Sequence, residues 1–164
     1  FMLTKFNLII NDSTKLLQTH QNITVFPVEN KYNCNVQEGE ILNLDWILSD
    51  GEADEIIADS ILEYFPYEQL TNILSNWIKK LSLTGSIIIV GCDLKELSRL
   101  YTFGKLNDEQ YYNLTYGKQK ESWEIKKSGS HLNEMCSVLS KFGLQVVRKE
   151  YNTYKYVIEA KRGN

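Results

Sequence analysis

The chain has 164 residues, the size of a single domain that can bury a substantial core. Hydrophobic residues make up 43% and charged residues 24%, a composition that excludes wholesale disorder. The formal net charge of −3 lacks the basic excess of a general nucleic-acid binder, so we expect no nucleic-acid partner. The longest apolar run, residues 87–90, is too short to cross a bilayer, so we expect no membrane association.

The three cysteines, Cys34, Cys92 and Cys136, lie far apart in the chain. They form no C-x-x-C pair and stand at no zinc-ligand spacing with either histidine, so we expect no metal site. An odd, scattered set of cysteines is typical of free thiols in a reducing compartment. We therefore expect a cytoplasmic protein.

The first third of the chain contains short apolar segments that predict β-strands. They are residues 6–10, 23–28, 41–44 and 54–59. Pro27 suggests an edge or an end for the second of them. Helical periodicity is weak in this part, where residues 14–21 allow only a short helix. His20 stands in this polar stretch, and we expect it to be solvated.

The second half alternates helices with strands. One apolar stripe at helical spacing predicts a helix from about residue 70 to 81: Leu70, Ile73, Leu74, Trp77, Ile78 and Leu81. Residues 86–90 predict a strand that is buried on both faces, and a capping-box-like start at Asp93 predicts a helix to about residue 101. Another apolar stripe predicts a helix over residues 132–142, with Gly143 as its left-handed cap.

Two segments complete the predicted architecture. Residues 104–129 are polar, tyrosine-rich and aperiodic, which favours a lid-like insertion. Residues 144–147 and 154–160 predict an antiparallel hairpin. The order of elements predicts a single α/β domain over residues 1–164. We expect a three-layer sandwich with a mostly parallel sheet and a C-terminal antiparallel hairpin.

Several segments resemble class I S-adenosylmethionine (SAM)-dependent methyltransferases. Residues 53–65, ADEIIADSILEYF, are similar to a D-x-I strand followed by an LEH turn, with Tyr64 where His is usual. Residues 77–85, WIKKLSLTG, are similar to the segment before the family's fifth strand, and Cys92-Asp93 to the dipeptide after it.

A further pattern is similar to a subgroup of predicted methyltransferases that is often found beside sugar-modifying genes and in viruses. It comprises LTYGKQ at residues 114–119, then His131, then LSKFGL at residues 139–144. The resemblance, over roughly residues 40–160, implies a Rossmann-like methyltransferase fold, SAM as cofactor and a small-molecule or sugar acceptor. It leaves a homodimer open.

The turn after the first strand departs from the family pattern. Methyltransferases usually have an acidic, glycine-rich turn there, because glycine lets the backbone approach the cofactor closely. This chain has Asn11, Asp12, Ser13 and Thr14 instead. The resemblance places Asn11, Asp12 and Ser13 at the cofactor, with Asp12 able to meet its ammonium group but repelling its carboxylate. The missing glycines favour a second hypothesis, a catalytically degenerate domain that serves as a binding or assembly module.

The resemblance implies two further cofactor contacts. Glu29 is the nearest acid to the end of the second strand, where it would accept the ribose hydroxyls; the alternative is an exposed loop glutamate. Asp45 and Trp46 would contact the adenine, and the alternatives are a turn or cap residue and a core residue. An oxidoreductase that binds a dinucleotide is disfavoured, because the sequence contains no G-x-G-x-x-G.

Three residues are candidates for catalysis. Methyl transfer depends mainly on orientation, and a general base helps when the acceptor is a hydroxyl. Asp59 ends the fourth strand, where open α/β sheets bind ligands, and Glu63 follows in the same loop. His131 matches the histidine of the subgroup, and an imidazole can accept a proton. The alternatives are a turn cap for Asp59, bonds to backbone amides for Glu63, and local bonding at a helix start for His131.

Overall fold

A computed structural model describes residues 4–163 of the chain. Its seven strands form one sheet in the order β3-β2-β1-β4-β5-β7-β6. The strands are β1 (Lys5–Ile9), β2 (Gln21–Thr24), β3 (Val36–Glu38), β4 (Ala53–Asp59), β5 (Leu81–Cys92), β6 (Leu144–Asn152) and β7 (Lys155–Arg162). β7 runs antiparallel to both of its neighbours, whereas every other pair of adjacent strands is parallel. The predicted α/β fold with a C-terminal hairpin is confirmed.

The order of the strands creates a crevice beside β1. The chain moves outward from β1 through β2 to β3, and then returns to place β4 on the other side of β1. At such a reversal the connections leave the sheet in opposite directions, so a gap opens at the carboxyl ends of β1 and β4. Ligands of open α/β sheets bind at this position.

Four α-helices lie among the described residues: α1 (Leu70–Lys80), α2 (Leu94–Thr102), α3 (Asp108–Tyr116) and α4 (Leu132–Lys141). α1 and α4 carry the buried stripes that their spacing predicts, and Trp77 of α1 is fully buried. Their side chains share one core with Ile56, Ile87 and Ile158 of the sheet. No described helix is long and apolar enough to span a membrane.

The sheet face opposite α1 and α4 has no α-helix between β1 and β2. Between β1 and β2 the chain forms only a 3₁₀ turn (Ser13–Lys15), where a short helix was predicted. The turn is held by Asn22, whose Oδ1 accepts hydrogen bonds from Asn7 Nδ2 and Leu17 N, both at 2.9 Å. Ile57 and Ile88 lie on this face in register with Asn7 and stay half-buried.

The expectation that His20 is solvated is wrong. Its side chain is buried, and its Nε2 lies 2.7 Å from Glu55 Oε1. Thr19 Oγ1 lies 2.8 Å from the other ring nitrogen. The ring is removed from water because the connection between β1 and β2 folds back over β4, and the carboxylate and hydroxyl replace its lost hydration.

The predicted strand at residues 41–44 is also wrong, because β3 lies at Val36–Glu38. Ile41 and Leu44 are buried, as the apolar run suggests. Their backbone groups, however, form hydrogen bonds with side chains of α1 and not with a neighbouring strand. Ile41 O accepts from Trp77 Nε1 at 2.7 Å, and Leu44 N donates to Asn76 Oδ1 at 2.8 Å. The segment is therefore an irregular cover over α1.

The predicted insertion contains a helix, α3, that its aperiodic sequence does not reveal. α3 has no buried residue, so it carries no apolar stripe. Its start is fixed by a capping box in which the side chains of Asn107 and Gln110 each accept the other's backbone amide. Tyr101 and Tyr111 stack with their ring centroids 4.1 Å apart and join α3 to α2. Residues 118–130, which we call the strap, follow without helix.

Candidate ligand-binding cleft

Two adjoining cavities lie at the carboxyl ends of β1, β2 and β4, in the crevice that the strand order creates. The larger has a volume of about 260 Å³ and the smaller about 90 Å³. Ile10, Tyr64 and Trp123 line both of them. The two cavities therefore form one cleft with two compartments.

The larger compartment is apolar and aromatic. Its lining residues are Ile10, Val25, Phe26, Glu40, Ile41, Leu42, Tyr64, Phe65, Trp123 and Lys127. Trp123 meets Tyr64 edge to face with ring centroids 5.5 Å apart, and lies 6.3 Å from the Phe26 ring. Burial, and then the nearby charge of Glu63, raise the pKa of Tyr64 to about 12, so its hydroxyl stays protonated. Such walls suit a flat, largely apolar group.

The smaller compartment is the more polar of the two, because Asn11, Asp12, Lys15, Asp59 and Ser60 line it beside isoleucine and aromatic residues. Lys15 Nζ donates to the Asp59 carbonyl oxygen at 2.8 Å and lies 3.7 Å from Asp59 Oδ1. The compartment thus contains one cation, Lys15, and two carboxylates, those of Asp12 and Asp59. It can bind a ligand group that itself carries charges of both signs.

The turn after β1 folds without glycine because Asp12 caps it. Asp12 Oδ1 accepts from Thr14 N at 3.0 Å and from Thr14 Oγ1 at 2.6 Å, and Asp12 has an extended backbone with φ of −139°. None of the described residues with positive φ lies at positions 11–14. Asn11 and Asp12 line the cleft, whereas Ser13 is exposed and lies outside the lining of both compartments.

Asp59 is held at the end of β4 by an unusual neighbour. Ser60 has φ of +57°, a left-handed backbone conformation that residues other than glycine rarely adopt. Ser60 N donates to Val90 O at 2.8 Å, and Ser60 Oγ donates to Asp59 Oδ1 at 2.7 Å. Such strain persists only where the surroundings enforce it, and it is common at functional sites.

The other two catalytic candidates have different surroundings. The Glu63 side chain is only 9% exposed and accepts a hydrogen bond from Cys92 N at 3.2 Å, so the alternative of a bond to a backbone amide is confirmed. His131 is the N-cap of α4, and its Nδ1 accepts from Glu134 N at 3.4 Å, which confirms its local bonding. Of the three candidates, only Asp59 lines the cleft, and it does so in the smaller compartment.

The three remaining predicted cofactor contacts also lie outside these linings. Glu29 is exposed, and its Oε2 lies 3.5 Å from Lys31 Nζ. Trp46 is 95% exposed, so the alternative of a core position for it is wrong. Asp45 Oδ1 accepts from the buried Lys80 Nζ at 2.6 Å, and this bond lowers the pKa of the Asp45 carboxyl. A cofactor role for these residues stays a prediction from the sequence.

Three further residues line the cleft without having been predicted from the sequence: Lys15, Phe26 and Ser60. The signal for Lys15 was present, because it is the first cation after the strand end that carries Asp12. Phe26 stands within a predicted strand, where an aromatic residue is ordinary. Nothing in the sequence marks the backbone conformation of Ser60.

No family model matches the sequence, and neither does any curated protein sequence. Solved structures do match. A SAM-dependent methyltransferase from Thermotoga maritima, described as a possible histamine N-methyltransferase, aligns with a TM-score of 0.64 and 15% identity, over 97% of this chain and 82% of that one. A SAM-dependent methyltransferase from Methanosarcina mazei aligns with a TM-score of 0.62 and 13% identity, over 99% of this chain and 94% of that one.

A third structure has a described ligand. The 1,6-didemethyltoxoflavin-N1-methyltransferase of Burkholderia thailandensis, with bound 1,6-didemethyltoxoflavin and S-adenosylhomocysteine, aligns with a TM-score of 0.59 and 8% identity, over 96% of this chain and 71% of that one. At these identities the likeness concerns the fold. The chain has the fold of the class I SAM-dependent methyltransferases.

Proposed function

We propose that this chain binds SAM in the two-compartment cleft and transfers its methyl group to a small-molecule or carbohydrate-like acceptor. One observation carries the proposal: an aromatic compartment adjoins a charged one at the carboxyl edge of a methyltransferase fold. SAM is divided in the same way, since a flat adenine stands at one end and an amino acid with charges of both signs at the other.

The residues of the cleft fit this cofactor. Phe26, Tyr64 and Trp123 would enclose the adenine. Both bonds of the Asp12 cap use Oδ1, which leaves Oδ2 to accept from the cofactor's ammonium group. Lys15, in the same compartment, would attract the carboxylate that Asp12 repels. The Burkholderia enzyme, which is described with bound S-adenosylhomocysteine (SAH), supports a cofactor of this class.

When bound, SAM supplies a methyl group already activated by its sulfonium. The chain's own contribution is therefore chiefly orientation. We assign Asp59 the role of general base, because its carboxylate lines the polar compartment and can accept the proton of a hydroxyl acceptor. Ser60 fixes one oxygen of this carboxylate and leaves the other available.

The proposed class of acceptor comes from one structural neighbour and from the sequence resemblance. The 1,6-didemethyltoxoflavin described as bound to the Burkholderia enzyme is a small molecule. A carbohydrate-like acceptor rests on the resemblance of residues 114–144 to methyltransferases found beside sugar-modifying genes. The second hypothesis, a module without transferase activity, is favoured by Ile57 and Ile88, which stay half-buried on the sheet face opposite α1 and α4.

A methyl-transfer assay tests the proposal. The purified chain is incubated with SAM and a panel of monosaccharides, glycosides and phenols, and the SAH formed is measured. We expect turnover with at least one hydroxyl acceptor, and a kcat about 100-fold lower for Asp59→Asn, whose shape is unchanged. Glu150→Gln, at an exposed acid of the edge strand β6 and outside both compartments, is the matched control. SAH binding without transfer to any acceptor would favour the second hypothesis.

A further inference from the structure

The strap is fastened to the loop after β4. Lys127 N and Ser128 N both donate to the Glu63 carbonyl oxygen, at 2.8 and 3.2 Å, and Ser128 Oγ donates to Leu62 O at 3.2 Å. At the other end of the strap, Leu94 N donates to Ser130 O at 3.0 Å. The strap thus joins the loop after β4 to the start of α2.

A buried ion pair reinforces this attachment. Lys126 Nζ lies 3.3 Å from Glu63 Oε1, and the two side chains are 8% and 9% exposed. Lys126 Nζ also donates to Leu114 O at 2.6 Å, while Glu63 Oε2 accepts from Cys92 N. Both charges are therefore paired and hydrogen-bonded. Removing one partner leaves the other charge buried without its counter-ion, which is strongly unfavourable.

The strap supplies one wall of the cleft. Trp123 lines both compartments, and it stands only three residues before Lys126. Its contacts with Tyr64 and Phe26 reach across from the strap to the ends of β4 and β2. The strap has no helix or strand of its own to fix the indole, so its anchors determine where the ring lies.

We propose that Glu63 and Lys126 form a latch that positions the strap, and through it Trp123, as a wall of the ligand cleft. Both are positioning residues, because neither lines the compartments. The consequence for cofactor affinity rests on the proposed function, whereas the placement of the strap and of Trp123 does not.

The test reads the position of Trp123 directly. In a Trp46→Phe background the remaining tryptophans are Trp77, which is fully buried, and Trp123. Acrylamide quenching of the fluorescence then reports Trp123. We expect Lys126→Met to increase the quenching severalfold. We also expect the amides of Lys127 and Ser128 to exchange hydrogen about tenfold faster or more, while amides of β4 and β5 keep their protection.

Three variants serve as controls. Lys118→Met removes an exposed lysine of the same strap and should leave both measurements unchanged. Lys126→Arg keeps the positive charge, so its quenching and its hydrogen exchange should equal those of the wild type. Gly117→Ala should open the strap independently of the latch, because Gly117 has φ of +86° and an added Cβ would overlap the Glu124 carbonyl oxygen.

The proposal is overturned if folded Lys126→Met shows unchanged quenching and exchange, or if Lys126→Arg is as damaging as Lys126→Met. If Lys126→Met does not fold, Glu63→Gln decides by the same criteria, since its amide oxygen can still accept from Cys92 N. For the cofactor, we expect Lys126→Met to weaken SAH binding when it is introduced into the wild type, but to have no further effect in a chain that already carries Trp123→Leu. Absence of SAH binding by the wild type would refute the proposed function, and quenching and exchange would still decide the latch.

Discussion

The carboxylate of Asp12 accepts both the backbone amide and the hydroxyl of Thr14, at 3.0 and 2.6 Å. This contact shapes the turn after β1, at the point where the resemblance to methyltransferases implies a glycine-rich turn. The cap keeps the turn short without left-handed residues, and a compartment of about 90 Å³ stays open beside it. A missing glycine motif therefore does not close the cleft in this chain.

Two substitutions at Asp12 separate the cap from the charge. Asp12→Ala loses the cap, so we expect the free energy of unfolding to fall by about 1 kcal/mol, measured by urea denaturation. Asp12→Asn keeps a good capping residue, so we expect stability within about 0.5 kcal/mol of wild type. Its affinity for SAH should nevertheless fall about tenfold, because a charge-assisted bond to the ammonium group is lost. Full affinity in Asp12→Asn would place the ammonium group elsewhere.

Lys15 should contribute to binding more than to stability. Its side chain is partly exposed and its ion pair with Asp59 is long, so we expect Lys15→Met to change the free energy of unfolding by no more than about 1 kcal/mol. SAH binding, measured by calorimetry, should weaken about tenfold or more, because the cofactor's carboxylate loses its counter-ion. Lys31→Met, at an exposed lysine paired with Glu29, is the control. Equal effects of the two variants would contradict the assignment.

Stability should fall in mildly alkaline solution. Burial raises the pKa of the Cys92 thiol from 9.0 to about 11. The unfolded chain therefore loses this proton first, and between pH 9 and 11 it binds fewer protons than the folded chain, so stability falls as pH rises. Over this window we expect a loss of roughly 2 to 3 kcal/mol from Cys92, measured by urea denaturation. Cys92→Ala should flatten the profile between pH 9 and 10, below the range in which the raised pKa of Tyr64 adds to the loss, and an unchanged slope there would show that other groups carry it.

Trp46 gives a clean comparison with Trp123. Because Trp46 is 95% exposed, we expect Trp46→Ala to change the free energy of unfolding by less than about 0.5 kcal/mol and to leave SAH affinity unchanged. Trp123→Ala should weaken SAH binding, since the indole lines both compartments. Calorimetric titration of both variants decides the matter, and a large loss for Trp46→Ala would support its predicted contact with adenine.

Much of the fold could be predicted because it depends on local patterns. The helical spacing of apolar residues in α1 and α4, and the alternation of buried and exposed residues in β7, can be read directly from the sequence. Ile41 and Leu44 form no strand, because the side chains of Trp77 and Asn76 bind their backbone groups, and an apolar pair in the sequence does not reveal those contacts. Burial of His20 depends on Glu55, 35 positions away, and no local pattern encodes that contact.

The candidate site divides in the same way. Asp12 and Asp59 could be placed near each other because the carboxyl ends of parallel strands meet at one edge of a sheet. Trp123 could not, because its position depends on a strap that Glu63 anchors from another part of the chain. Residues at strand ends are thus predictable, and residues on irregular segments require the tertiary contacts.

Binding of SAM in the cleft can be measured by calorimetric titration of the purified chain with SAH, with Lys15→Met and Lys31→Met titrated alongside. We expect one SAH to bind per chain, with an affinity that Lys15→Met lowers and Lys31→Met leaves unchanged. No binding heat at millimolar SAH, or identical affinity in Lys15→Met, would contradict this expectation.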